Sequence, residues 1–325
     1  LYIFSVISNY FIQIRVQREV NDKLLNVLQL NQNQGASDLL SASIDQKAQQ
    51  MQSVVFKKNS LVRVPIRLGA DVFLNGEISE YNQARMLDTM KAFSLLMKSH
   101  NVERYKACAT SAMRESNNSK QLSDKILEDC GIKIDIIDGD EEAAIIAATD
   151  LKNFINPNKT YLYVDVGGGS TEFSIIHNGK KIQSKSFKIG TVRLLNNIVK
   201  KKTWTKLEVW IKENTKKYYK IALIGSGGNI NKIFKISGKD IGKPLTYFYL
   251  SSYYKSLQKF TYEERITNLN LNQDRADVII PATRIYLSAM KWSGAKDIYV
   301  PKIGLSDGVI KSIYFKTVSS MGLEV

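Results

Sequence analysis

The sequence predicts an α/β protein built from two lobes that meet near residues 141–147. Three observations lead there. Strand-like and helix-like runs alternate from residue 54 onward. Two strands run straight into glycine clusters, at residues 165–172 and 221–229. The chain has 325 residues, longer than the roughly 250–300 residues at which single cores stop growing. The expected division is 1–145 for the first lobe, with 1–53 atypical, and 146–325 for the second.

Taken in order, residues 54–56 and 61–66 read as extended segments that end at Gly69. Residues 79–98 place Ala84, Leu87, Met90, Ala92, Phe93, Leu96 and Met97 at helical spacing behind Ser79, a favoured N-cap residue. Residues 105–109 read as a short strand, 124–129 as a helix stopped by Gly131, and 132–137 as a strand ending at Asp138-Gly139. An Ala-rich helix is expected over 141–150. Residues 161–166 and 173–176 read as strands, and Asn178-Gly179 is a tight-hairpin signal with its return strand over 180–187. Residues 219–224 read as another strand, and 275–290 as helix. No repeat of solenoid period is present.

Composition narrows the function. Lys and Arg number 46 against 31 Asp and Glu, a formal charge of +15. Such a charge favours an anionic partner, although lysine also serves simply to solvate a surface. The lysines crowd between Lys180 and Lys243, including Lys200-Lys201-Lys202. No stacked-aromatic RNA signature or zinc-finger spacing accompanies them, so nucleic acid is not favoured. Two cysteines, Cys108 and Cys130, rule out a disulfide framework, and His100 and His177 without a cysteine cluster argue against structural zinc. The apolar opening, residues 1–16, is interrupted by Ser5, Ser8, Asn9, Gln13 and Arg15. It is therefore read as neither a membrane span nor a signal peptide, and a reducing cytoplasm is the expected location.

The chemistry concentrates in Asp165-Val166-Gly167-Gly168-Gly169-Ser170-Thr171-Glu172. A strand carries a carboxylate to its tip, and glycines then let backbone amides approach phosphate oxygens unobstructed. Ser170 and Thr171 add hydroxyls, while Asp165 and Glu172 suit a hard cation such as Mg²⁺. The segment is not a Walker A loop, since it lacks the Gly-Lys-Ser/Thr ending, and not a dinucleotide fingerprint, because a strand follows it. Gly225-Ser226-Gly227-Gly228-Asn229 supplies a second backbone surface for the same polyanion. Glu141 and Glu142 open a helix, where they serve either its dipole or a water-activating base, and spacing does not choose between them. Arg114 suits a phosphate clamp or a plain surface position.

Several segments together resemble one family. They are Ala109-Thr110-Ser111-Ala112-Met113-Arg114-Glu115, Ile137-Asp138-Gly139-Asp140-Glu141-Glu142-Ala143, the glycine clusters, Gly190-Thr191-Val192-Arg193-Leu194, Arg275-Ala276-Asp277 and Gly304-Leu305-Ser306-Asp307-Gly308. In order and number they resemble the exopolyphosphatase and guanosine pentaphosphate phosphohydrolase family of the actin/sugar-kinase/Hsp70 superfamily, in its short two-domain form. The resemblance implies two ribonuclease-H-like (actin-like ATPase) lobes with an interdomain cleft. It implies Glu142 as catalytic base, Asp165 and Glu172 as Mg²⁺ carboxylates, and Gly167, Gly168, Gly169, Ser170 and Thr171 as a phosphate loop. Gly225, Gly227, Gly228, Asn229, Arg114, Arg193 and Arg275 are implied in phosphate binding. The implied reaction is Mg²⁺-dependent release of terminal phosphate from inorganic polyphosphate or guanosine pentaphosphate, by a homodimer. One departure stands out. The family's first phosphate loop reads Asp-hydrophobic-Gly-Ser-Asn, and its nearest counterpart here is Ser5-Val6-Ile7-Ser8-Asn9. Ser5 removes a charge, and Ile7 puts a β-branched side chain where close backbone approach is needed. A catalytically impaired member that binds polyphosphate or guanosine tetra- or pentaphosphate is therefore the alternative.

Overall fold

The computed structural model describes residues 2–7, 10–18, 54–139, 141–142, 145, 156, 158–301 and 304–320, with 2–18, 54–60 and 315–320 described as backbone. Strands β1 (Tyr2–Ile7), β2 (Tyr10–Arg18) and β3 (Val54–Arg63) form an antiparallel meander. β4 (Arg104–Ala109) and β5 (Ile134–Ile136) add in parallel beside β1, giving the order β3-β2-β1-β4-β5. Helices α1 (Leu68–Asn75), α2 (Glu80–Ser99), α3 (Ser111–Glu115) and α4 (Ser119–Cys130) accompany this sheet.

The second sheet repeats the scheme. β6 (Thr160–Val166), β7 (Thr171–His177) and β8 (Lys180–Phe187) form the meander. β9 (Ile221–Ser226) lies parallel to β6, β11 (Asp297–Tyr299) lies parallel to β9, and β10 (Leu245–Thr246) closes the edge. The order is β10-β11-β9-β6-β7-β8. Helices α5 (Thr191–Leu195), α6 (Lys201–Thr215), α7 (Gly228–Ile236), α8 (Tyr247–Leu257), α9 (Tyr262–Thr267), α10 (Gln273–Ala276), α11 (Ile279–Ser293) and α12 (Leu305–Ser320) complete the chain. Both sheets have the ribonuclease-H-like arrangement, so β1 corresponds to β6 and β2 to β7. α12 returns to pack on β1 and β4.

β6 and β7 are buried on both faces, as central strands covered on both sides must be. On one face Leu162, Val164, Phe173 and Ile175 join the core under α6, α7, α8 and α11. On the other, Tyr161, Tyr163 and Ile176 meet Cys108 and Ile137 from the first sheet and Leu305 and Val309 of α12. The period-two alternation of one strand pair thus serves two cores. Leu68, Val72, Met90, Phe93, Leu122 and Ile126 fill a third beside the first sheet.

Local signals explain the element ends. Ser79 Oγ accepts from the Asn82 amide at 3.3 Å and starts α2. Gly131 stops α4 at φ 68°. Asn178 and Gly179 turn β7 into β8 at φ 51° and 71°, the pair of positive values a tight hairpin needs.

The structure departs from the sequence expectation in several places. Residues 54–63 form one strand because pairing with β2 carries β3 across the polar Lys57–Ser60 stretch, and Gly69 lies inside α1. α4 begins five residues before 124, since Leu122 is already a core residue. The helix expected over 275–290 breaks at Asp277-Val278 into α10 and α11. The lysine-rich region hides α6, whose Leu207, Trp210 and Ile211 recur at helical spacing and are buried. Residues 141 and 142 are helical as expected, and 146–150 lie outside the described residues. No helix among the described residues is long and apolar enough to cross a membrane.

Phe173 is fully buried, with its ring centroid 5.8 Å from Phe187 and 6.3 Å from Trp210. Phe173→Ala is expected to cost about 3–5 kcal/mol in urea unfolding, through lost burial plus the cavity left behind. Tyr219→Ala, at a side chain 95 % exposed, should stay within about 0.5 kcal/mol.

Candidate active site

The site grows from the ends of two neighbouring strands. β6 carries Asp165 to its tip, and β7 returns with Glu172 directly opposite in register. Between them the Gly167 amide donates to the Ser170 carbonyl at 3.0 Å, closing a tight turn. β9, parallel to β6, ends at Ser226 and turns through Gly227, whose φ of 113° suits glycine, into the first turn of α7. The two glycine clusters therefore stand side by side at one end of the sheet.

They line a cavity of about 540 Å³ between the two sheets. Of the residues expected from the sequence, Glu142, Asp165, Gly167, Gly168, Gly169, Gly227, Gly228, Asn229 and Arg275 line it. The first lobe contributes Arg63, Arg67, Thr110 and Ser111, and the second adds Thr191, Asn231, Asp274, Ser306 and Asp307.

The remaining expected residues stand behind the wall. Ser170 and Ser186 donate to Glu172 Oε1 at 2.7 and 2.9 Å. Thr171 is fully buried and donates to the Ile189 carbonyl at 2.5 Å. Gly225 packs under Ile298, whose side chain lies 2.8 Å from where a Cβ would be. Arg114 Nη1 donates to the Ile137 carbonyl at 2.6 Å. Arg193 donates to the Gly169 carbonyl at 2.7 Å and to Glu115 Oε2 at 2.5 Å, with its guanidinium 4.0 Å from the Phe73 ring centre. Arg193 thereby ties the glycine loop to the first lobe. Arg275 donates to the Gly228 carbonyl and braces the second loop while also lining the cavity.

Two of the glycines are required by packing alone. A Cβ on Gly169 would fall 2.2 Å from the Phe73 ring, and one on Gly190 would fall 2.2 Å from the Gly168 carbonyl. These two let the chain segments pack. Gly167 and Gly168 line the cavity.

Geometry separates the two glutamates. The Glu141 side chain is exposed and lies 3.7 Å from Lys106 Nζ. Glu142 lines the cavity, and its Oε2 is buried without a hydrogen-bond partner among the described residues. Burial, then the charges of Glu172 and Asp165, push the Glu142 carboxyl up to about 9, with Arg114 opposing. Burial and Glu172 raise Asp165 to about 7, against a hydrogen bond from Ser226. Glu172 is also raised by burial, opposed by Ser170, Ser186 and Arg114. Three carboxylates thus share one poorly solvated corner. Among the described residues no group of three His, Cys, Asp or Glu is arranged to hold a metal.

Sequence reasoning missed Arg63, Arg67, Asn231, Asp274 and Asp307. Only Asp307 lay in a motif that had been singled out, and the others carry no glycine or paired-acid signal.

Comparison with known proteins adds to this geometry. The model of the Ppx/GppA phosphatase family matches residues 43–316. The chain is 30% identical over 273 residues to a bifunctional 3-dehydroquinate synthase/phosphatase of Fusobacterium nucleatum, covering 77% of this chain and 41% of that protein. It is 31% identical over 139 residues to a guanosine-5'-triphosphate,3'-diphosphate pyrophosphatase of Photobacterium profundum, covering 43% and 28%. The chain thus spans less than half the length of either curated relative. Among solved structures, an exopolyphosphatase from Cytophaga hutchinsonii superposes with a TM-score of 0.74 at 21% identity, covering 100% of this chain and 99% of that one. An Aquifex aeolicus Ppx/GppA family member gives 0.66 at 20%, with 97% of both chains covered. At such identities the two structures speak to the fold.

The carboxylate cluster sets a pH dependence. The folded-state value of Glu142 lies near 9, whereas an unfolded chain titrates near ~4.3, so between them the folded state binds more protons and stability falls as pH rises. Glu142→Gln, melted without divalent cations, should match the native chain within about 2 °C near pH 5 and exceed it by several degrees near pH 9. A gap that stays constant with pH would refute the shared, poorly solvated corner.

Proposed function

The chain belongs to the Ppx/GppA phosphatase family, and from that premise we propose that it is a Mg²⁺-dependent phosphohydrolase releasing terminal phosphate from inorganic polyphosphate or guanosine pentaphosphate. The observation that carries this reading is Glu142 Oε2, buried and unpartnered at the wall of the cavity that the two glycine loops line. A buried acceptor facing an anion site suits a group that takes a proton from water.

In this reading the backbone at Gly167–Gly169 and the first turn of α7 hold the terminal phosphate, and Arg275 adds charge beside the second loop. Glu142 positions a water for in-line attack on phosphorus and accepts its proton at Oε2. Arg114, facing Glu142 and Glu172 electrostatically, steadies the ionised forms of both. The donor set fits Mg²⁺: mutually repelling carboxylates in one poorly solvated corner favour a hard dication. Asp165 and Glu172 would hold it, directly or through waters, and when bound it would offset phosphate charge and draw Glu142 toward ionisation.

A second reading, binding without turnover, has its own observation. Val166 pairs with Thr171 across the glycine loop, leaving residues 167–170 between them, whereas Ile7 pairs with Tyr10 across the corresponding connection of the first sheet. The first-sheet connection is therefore two residues long, against four at the glycine loop.

Phosphate release from long-chain polyphosphate with Mg²⁺, with guanosine pentaphosphate assayed in parallel, separates the two. The hydrolase reading expects release that falls at least about 100-fold in Glu142→Gln. Saturable polyphosphate binding with no release from either protein would establish the second reading instead.

A further inference from the structure

Beside the cavity two ion pairs join the first-sheet body to α10 and its C-cap. Arg63, the last residue of β3, meets Asp274 on α10 as a fork: Nη1 donates to Oδ1 at 2.9 Å, and Nη2 contacts Oδ2. Arg67 Nη2 donates to Asp277 Oδ2 at 2.6 Å. More than 200 residues separate the partners in each pair. Arg63, Arg67 and Asp274 all line the cavity that holds Glu142 and the glycine loops.

The geometry points to a second anion-binding station: we propose that Arg63 and Arg67 take the inner phosphates of a phosphoanhydride chain, with Asp274 and Asp277 as built-in competitors that occupy the arginines until such a chain arrives. The inference rests on the phosphoanhydride-site reading given above and deepens it.

Four observations support it. Arg63 and Arg67 line the same cavity as Glu142 and the glycine loops, so a chain anchored by its end at those loops extends within the cavity that both arginines line. Phosphate matches the guanidinium fork as carboxylate does and brings more charge and more acceptor oxygens, so exchange leaves no arginine unpaired. The latched state is imperfect, since Asp277 Oδ1 is buried without a partner among the described residues. Arg67 also sits at φ 63°, a left-handed value unusual for a residue with a side chain, where it precedes α1.

The arrangement discriminates by length. A single orthophosphate fills the loop end and displaces neither carboxylate, so it gains nothing from the arginines and departs readily as product. A chain with phosphates at several positions displaces both. Because the pairs join the first-sheet body to α10 at Asp274 and to its C-cap at Asp277, that exchange also releases this tie while substrate is held.

The test uses the whole chain in a Glu142→Gln background, which allows binding without turnover. Long-chain polyphosphate and orthophosphate are titrated into the parent, into Asp274→Asn/Asp277→Asn and into Arg63→Gln/Arg67→Gln. The expected result is opposite shifts for polyphosphate: Kd falls about tenfold without the competitors and rises about tenfold without the arginines, while orthophosphate moves less than about twofold. Equal or same-direction shifts for the two pairs overturn the proposal, because a merely structural pair weakens binding from either side. Should a double variant melt below the assay temperature, Asp277→Asn and Arg67→Gln singly carry the same opposite-sign expectation. Absence of polyphosphate binding by the parent removes the station and the phosphoanhydride reading together. Binding without divergence removes the station alone, and turnover by the chain with native Glu142, measured alongside, reports separately on hydrolysis.

Discussion

The register between β6 and β7 is the constraint on which the site depends. It sets Asp165 opposite Glu172 on strands whose other residues are core. Two carboxylates at adjacent positions of a buried ladder repel each other and lose hydration, and Glu142 joins them from the first sheet's side. The surroundings offset only part of this. Ser170 and Ser186 satisfy one oxygen of Glu172, and Arg114 lies near enough to favour the charged forms of Glu142 and Glu172. What remains is a corner with surplus negative potential, which attracts cations or protons rather than bare anions.

That corner is held in place by apolar packing that spans both sheets. Tyr161, Tyr163 and Ile176 on the reverse face of the same strands meet Cys108 and Ile137 of the first sheet, while α12 covers the junction. The strands that carry Asp165 and Glu172 therefore also join the sheets. The glycine loop behaves similarly: Gly169 lies beneath Phe73 and Ser111, and Arg193 links its carbonyl to Glu115. Movement between the sheets must then be felt at the glycine loop, because its backbone packs against both.

Much of this was legible in the sequence, and the reason is local chemistry. Three glycines between Asp165 and Ser170 announce a bare backbone turn, Asn178-Gly179 announces a hairpin, and Ser79 and Gly131 mark helix ends through their own conformational preferences. The order of the motifs along the chain also carries the family resemblance. The lysine-rich α6 was missed because its buried face is narrow beneath a charged exterior, and β3 was cut short because its polar middle becomes strand only through pairing with β2.

The sequence by itself determined the α/β class, the strand ends that carry Asp165 and Gly225–Asn229, and the pool of acids and arginines available to a site. Tertiary structure decided which of them meet. It turned Glu142 inward and Glu141 toward Lys106, withdrew Arg114 and Arg193 behind the wall, and brought Arg63 and Arg67 to Asp274 and Asp277 across the cleft. The physical reason is range. Turn and cap preferences act within a few residues, whereas burial and charge pairing depend on distances that exist only after the sheets have packed.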